Sequence, residues 1–217
     1  MTDIQHTVIG QDRYRTILDA TFDLGMFKVD FEDPFELTGG GSSPVYIDAR
    51  QWTKDADLAD EFVYALDDVV TQAGIDYDWI GSGVTAGVPY GERFAHHRHE
   101  PSIYVRDEPK GYGRDAQIEG AEAEEIDGET VLLVEDLITD GGSKHEFIDG
   151  IEQAGGTVNH CISFYDRQQG GRASLAGRNV DLLSVVPIDV LMEHGRETGR
   201  LDDRTYQRLG TYLAGER

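Results

Sequence analysis

The chain has one cysteine, Cys161, and only four lysines, Lys28, Lys54, Lys110 and Lys144, in 217 residues. A single thiol excludes an internal disulfide, and its flanks, His-Cys-Ile-Ser-Phe, read as a strand in which a thiol is buried and inert. No apolar stretch approaches the roughly 18 residues that a membrane-spanning helix needs. The opening MTDIQHTVIG lacks a basic start followed by an apolar core, so no leader is expected and the expected location is cytoplasmic. Cations are scarce too. The 19 Lys plus Arg stand against 42 Asp plus Glu, for a formal net charge of -23, which repels nucleic-acid phosphates and anionic lipid heads alike. Neither nucleic acid nor membrane is an expected partner.

What is abundant is acid, spread evenly as in Asp55, Asp57, Asp60, Glu61, Asp67 and Asp68. Such a coat suits a halophilic setting, because near molar salt the Debye length falls to roughly 3 Å and the mutual repulsion is screened. A hydrophobic content of 39% over this length is enough for one α/β domain. The expected division is an amino-terminal helix and hood to about residue 50, then a core with carboxy-terminal helices to residue 217.

Hydrophobic spacing predicts an opening helix over residues 11–24 and a second over 55–73, each followed by glycine. Between them, Met26-Phe-Lys-Val and Val45-Tyr-Ile-Asp are short extended pieces around Gly39-Gly40-Gly41, a small β-hood. Strands near 78–81, 102–106, 157–165 and 180–186 alternate with helical stretches. That alternation predicts a mostly parallel sheet flanked by helices, a Rossmann-like α/β fold. The unbroken apolar run Val131-Leu-Leu-Val134 is its central strand, since strands buried on both faces lose polar alternation.

That strand leads into the most informative segment, Val131-Leu-Leu-Val-Glu-Asp-Leu-Ile-Thr-Asp-Gly-Gly-Ser143. Carboxylates at a strand end accept hydrogen bonds from sugar hydroxyls, and backbone N–H groups at a helix N-terminus bind phosphate. Side chains at Gly141 or Gly142 would hold the backbone off the phosphate oxygens, while Thr139 and Ser143 add hydroxyls. Asp140 must point its carboxylate outward to avoid repelling the ligand. A second segment, Tyr104 to Gly120, joins a strand to a glycine-punctuated polar loop that carries cations. Cations on a mobile lid suit a departing anion.

These features resemble the type I phosphoribosyltransferase signature of four apolar residues, two acids, two apolar residues and Thr-x-Gly-x-Ser. The resemblance narrows to the orotate phosphoribosyltransferases through three further segments. Arg106, Lys110, Tyr112, Gly113, Glu119 and Gly120 match that family's catalytic loop; Phe35 to Arg50 is similar to its hood; Phe164-Tyr-Asp-Arg-Gln-Gln-Gly-Gly171 is similar to its Val-Asp-Arg-x-x-Gly-Gly segment. Gly81-Ser-Gly-Val-Thr-Ala-Gly-Val-Pro89 resembles the loop that meets pyrophosphate through backbone amides. The sequence departs from the family at Asp107 and Thr38, where lysine is common.

The resemblance implies transfer of the phosphoribosyl group of phosphoribosyl pyrophosphate (PRPP) to orotate, in pyrimidine synthesis, with Mg2+ carried mainly by PRPP and no dedicated metal ligands. Arg106 and Lys110 would be catalytic; with Tyr112, Glu135, Asp136, Leu137, Ile138, Thr139, Asp140, Gly141, Gly142 and Ser143 they would bind PRPP. Thr139, Arg167, Tyr46 and Ile47 would bind orotate, with Tyr46 and Ile47 against the ring. A homodimer is implied, one subunit's Lys110 loop reaching its partner's site. Two alternatives stay open at this point: transfer to another base, and a non-catalytic sensor of PRPP or nucleotides on the same fold. His96, His97 and His99 point different ways on a helix end and are read as solvated, as are Glu122, Glu124 and Glu125.

Overall fold

The computed structural model describes residues 9–37, 40–108 and 117–215. Among the described residues, helix α1 (Gln11–Asp23) leads into a hood of two short antiparallel strand pairs. Strand β1 (Phe27–Val29) pairs antiparallel with β4 (Val45–Ile47), and β2 (Phe35–Glu36) with β3 (Ser42–Ser43). Helix α2 (Ala56–Ala73) follows. Its start is fixed by Asp55, whose carboxylate accepts the N–H groups of Asp57 and Leu58 at 3.1 Å each, and its end by Gly74 at φ 62°. This is a capped helix with one buried face, Ala59, Phe62, Val63, Leu66 and Val70.

The core sheet has six strands: β5 (Trp79–Gly83), β6 (Ser102–Val105), β7 (Ile118–Glu119), β8 (Thr130–Ile138), β9 (Thr157–Asp166) and β10 (Asp181–Pro187). Their spatial order is β10-β9-β8-β5-β6-β7, parallel except for the β6–β7 pair. Helices α3 (Val88–Arg98), α4 (Ala123–Ile126), α5 (Gly142–Gln153) and α6 (Gly171–Ala176) connect the strands, and α7 (Ile188–Glu197) and α8 (Asp203–Leu213) close the described chain.

Two apolar clusters cover the two faces of the sheet. Leu132, Val134, Phe164 and Val185 pack with Phe62, Trp52, Tyr90 and the hood on one face; Val131, Leu133 and Cys161 pack with Phe147, Ile148 and Ile151 of α5 on the other. Each fully buried aromatic or aliphatic side chain contributes about 1.5–3 kcal/mol. The expected elements are present, with one informative difference. Strand β8 does not stop at Glu135–Asp136 but continues to Ile138, because Leu137 and Ile138 pair with Tyr165 and Asp166 of β9.

Candidate active site

The chain runs from β5 to β6 on one side of β5, then returns to β8 on the other and continues through β9 to β10. The strand order therefore reverses between β5 and β8, and the crevice beyond their carboxyl ends is where such sheets bind ligands. Gly83 ends β5 at this crevice, and its N–H donates to Glu135 Oε1 at 2.7 Å. Glu135 Oε2 meets Lys144 Nζ, from the first turn of α5, at 2.6 Å. Both side chains are buried, Glu135 to 2% exposure and Lys144 to 7%. Glycine is required opposite them: a Cβ on Gly83 would stand 2.1 Å from the Phe147 ring, and one on Gly87 would stand 2.7 Å from Glu135 Oε1.

This arrangement corrects the expectation that both acids address a ribose. Successive strand residues face opposite sides. Glu135 shares its face with Val131 and Leu133 and turns toward α5, whereas Asp136 shares the other with Leu132 and Val134. Both Glu135 oxygens are engaged inside the protein; Asp136 is the acid left partly open to solvent. Its pKa is pushed up to about 6, first by burial and then by the charge of Glu135, with Lys144 and the N–H groups of Leu137 and Asp136 pulling the other way. Arg50 and Tyr90 lie within its electrostatic reach.

Beyond Asp136 the alternation breaks: Leu137 packs with the cluster that holds Leu132 and Val134, and Ile138 with the one that holds Val131 and Leu133. Ile138 is fully buried and packs against Gly171, where a Cβ would come within 2.7 Å of it. The side chain of Ile138, expected among the PRPP contacts, therefore belongs to the core; Leu137 is partly buried beside the hood cluster. Thr139 is partly exposed, and its carbonyl accepts the Gly171 N–H at 3.0 Å. Gly141 takes φ 91°, a turn conformation glycine adopts without strain, and α5 begins at Gly142 with no side-chain cap from Gly141. Gly142 and Ser143 are exposed at this helix N-terminus, where backbone dipoles favour an anion. Asp140 is exposed as well, and its Oδ1 accepts the Gly142 N–H at 3.1 Å.

One strand over, Arg167 follows β9, and its N–H donates to the Ile138 carbonyl at 2.9 Å, so it adjoins the glycine turn. The side chain is buried to 4% exposure. Its Nη2 donates to Ser43 Oγ of the hood at 2.9 Å, while its Nε has no partner. Among the described residues no carboxylate lies within ion-pairing distance of it. Burial pulls this guanidinium below its ordinary pKa, and neighbouring Tyr212 of α8 opposes that pull. A buried, unpaired cation of this kind is costly unless an anion arrives.

The hood places Tyr46 and Ile47 differently. Tyr46 is partly exposed, and its hydroxyl accepts from Arg50 Nη2 at 3.0 Å. Ile47, expected against the base, instead points into the core at 6% exposure, since neighbours on a strand face opposite sides. At the other edge of the sheet, Arg106 follows β6 with its guanidinium held by Glu119 of β7. Asp107 is exposed, its carboxylate bonded to the Glu108 N–H. Lys110 and Tyr112 lie outside the described residues, as does Thr38.

Two residues of this site, Lys144 and Ser43, received no role from sequence. Both stand in segments the family resemblance covers, Lys144 one position past Ser143 and Ser43 just before Pro44. A residue in the first turn of a helix directs its side chain back over the preceding turn. That rule was the available signal for Lys144.

No family model matches the chain. Curated relatives do. An orotate phosphoribosyltransferase of Sinorhizobium medicae is 37% identical over 191 residues, 86% of this chain and 80% of that protein. One from Dinoroseobacter shibae is 40% identical over 185 residues, 83% of this chain and 80% of that protein. The chain belongs to the orotate phosphoribosyltransferase family. Solved structures agree on the fold: Leishmania donovani UMP synthase superposes with a TM-score of 0.80 at 23% identity, covering 93% of this chain and 42% of that one. Orotate phosphoribosyltransferase from Aeropyrum pernix gives 0.69 at 24% identity, covering 84% and 99%.

Proposed function

We propose that the reaction of the family, transfer of the 5-phosphoribosyl group of PRPP to a ring nitrogen of orotate with release of pyrophosphate, runs at the crevice beyond β5, β8 and β9. The product is orotidine 5'-monophosphate, the precursor of UMP. The observation that carries the assignment is Arg167, a buried guanidinium with an unpartnered Nε and no carboxylate partner among the described residues, beside the glycine turn. It is suited to the orotate carboxylate, which neither uracil nor a purine base offers.

In this reading Asp136 accepts hydrogen bonds from the ribose hydroxyls, and Gly141, Gly142 and Ser143 cradle the 5'-phosphate. Thr139 borders the base. The backbone of Gly83 to Gly87 faces the pyrophosphate. Arg106 and Lys110 screen the charge that develops on the leaving group, with Tyr112 in the same loop; this acts in the transition state rather than in ground-state binding. The residues fit a magnesium ion carried by its substrate: Asp136 is a partly exposed carboxylate oxygen donor beside the glycine turn. Magnesium would neutralise pyrophosphate oxygens there. A cytoplasmic homodimer with shared loops and a high-salt optimum complete the reading, supported by the family's pattern and by the acid coat.

Pyrophosphate release from PRPP with magnesium and orotate, run at molar salt with uracil and hypoxanthine in parallel, tests this. Orotate-dependent release is expected. Release only with another base would sink the role given to Arg167.

A further inference from the structure

Lys144 is a buried lysine whose Nζ also donates to Ser143 Oγ at 3.4 Å, and it sits where three ligand-facing elements meet. Its Nζ reaches Glu135 Oε2 from α5, and Glu135 Oε1 takes the Gly83 N–H from β5, so one carboxylate joins two loops on either side of the strand-order reversal. The glycines of the first loop are shaped around that carboxylate, since a Cβ on Gly83 would lie 2.5 Å and one on Gly87 2.7 Å from Oε1. Packing alone already anchors α5, through Phe147, Ile148 and Ile151. Buried ion pairs are poor sources of net stability, and an apolar replacement of both partners is often neutral or stabilising. The pair therefore calls for a role other than holding the helix.

We propose that the Lys144–Glu135 pair is a brace that fixes the spacing between the pyrophosphate loop (Gly83 to Gly87) and the 5'-phosphate loop (Gly141 to Ser143), making both residues positioning residues rather than ligands. The inference rests on the reading of those loops given above. A ligand with phosphate groups at both ends of a ribose is sensitive to that spacing, and a misplacement of about 1 Å can cost up to about a hundredfold in rate. A ligand that fills one loop alone is not.

That asymmetry supplies the test. In the full-length protein, Lys144→Met and the double variant Glu135→Gln/Lys144→Met are compared with wild type for affinity toward PRPP, ribose 5-phosphate and pyrophosphate, and for the KM of orotate. The expected result is a PRPP affinity weakened by about tenfold or more, with ribose 5-phosphate and pyrophosphate each changed less than about threefold and orotate KM unmoved. Should Lys144→Met fail to fold because Glu135 is left charged and alone, the double variant carries the same expectation. It removes both charges, keeps an acceptor for Gly83 and cuts the tie to α5. PRPP affinity equal to wild type, or equal losses for the single-loop ligands, would overturn the brace. Wild-type protein that fails to bind PRPP would count instead against the assignment of the two loops.

Discussion

Two buried cations stand at the ends of adjacent regions of the sheet edge, and they are treated in opposite ways. Lys144 is 7% exposed and paired with Glu135 at 2.6 Å; Arg167 is 4% exposed, holds a neutral hydroxyl at 2.9 Å and has no carboxylate partner among the described residues. A charge satisfied inside the protein sets geometry, because its partner is always present. A charge left unsatisfied stores a desolvation cost that only an incoming anion relieves, so it sets affinity. The contrast separates the part of the site that must keep its shape from the part that must discriminate.

The same substitution at both positions should break this comparison with opposite signs. Lys144→Met leaves Glu135 buried and unpaired and should destabilise the ligand-free fold by about 3–5 kcal/mol. Arg167→Met removes an unpaired buried cation while keeping volume, and should leave stability unchanged or raise it by about 1 kcal/mol. Orotate KM in Arg167→Met should rise about 10- to 100-fold, the loss of charge-assisted hydrogen bonds, with PRPP KM little changed. Denaturant melts and steady-state kinetics on the two variants decide it; equal destabilisation would mean that Arg167 has a hidden internal partner.

Asp136 sharpens the contrast from the other sign of charge. Its folded pKa of about 6 lies above the ordinary carboxylate range, so the folded state holds the proton more tightly than the unfolded chain does. Ionisation therefore costs stability as pH rises through about 6, and the cost is absent below about pH 4 where both states are protonated. Asp136→Asn should accordingly be more stable than wild type at pH 8 by about 1–2 kcal/mol, discounted for partial exposure, and indistinguishable at pH 4. PRPP binding in the same variant should weaken by about 1–2 kcal/mol. Thermal melts that differ equally at both pH values would remove the charge of Asp136 from the explanation.

The order of strands and helices and the glycine turn after β8 were legible in the sequence, because hydrophobic period and turn residues are local. The division of labour between Glu135 and Asp136 was not. The opposite facing of the two acids follows from period-two alternation over Val131 to Asp136, but which face meets α5 and which the hood is set by packing between distant segments, and past Asp136 the alternation itself breaks, Leu137 joining the hood cluster and Ile138 the α5 cluster. The burial of Ile47 is equally non-local, since it depends on which face of β4 meets the core. The bond between Ser43 and Arg167 spans 124 positions and left no local trace. Local chemistry marked the site; the register between distant strands decided which atoms face it.

Ser43 gives the smallest and most discriminating perturbation. It is fully buried, its hydroxyl donates to the Val45 carbonyl at 2.8 Å, and it accepts from Arg167 Nη2 at 2.9 Å. Ser43→Ala leaves the guanidinium with one more donor unsatisfied and less firmly aimed, while its charge stays in place. A net hydrogen bond of about 1 kcal/mol then predicts an orotate KM raised about three- to tenfold, with kcat and PRPP KM near wild type. If the hydroxyl instead touched the base directly, Ser43→Ala and Arg167→Met would each lose their own contact, and the double variant would combine both losses. If Ser43 acts only by aiming Arg167, its effect should vanish once Arg167 is methionine, so the double-mutant cycle, rather than either single variant, identifies which atom meets the ligand.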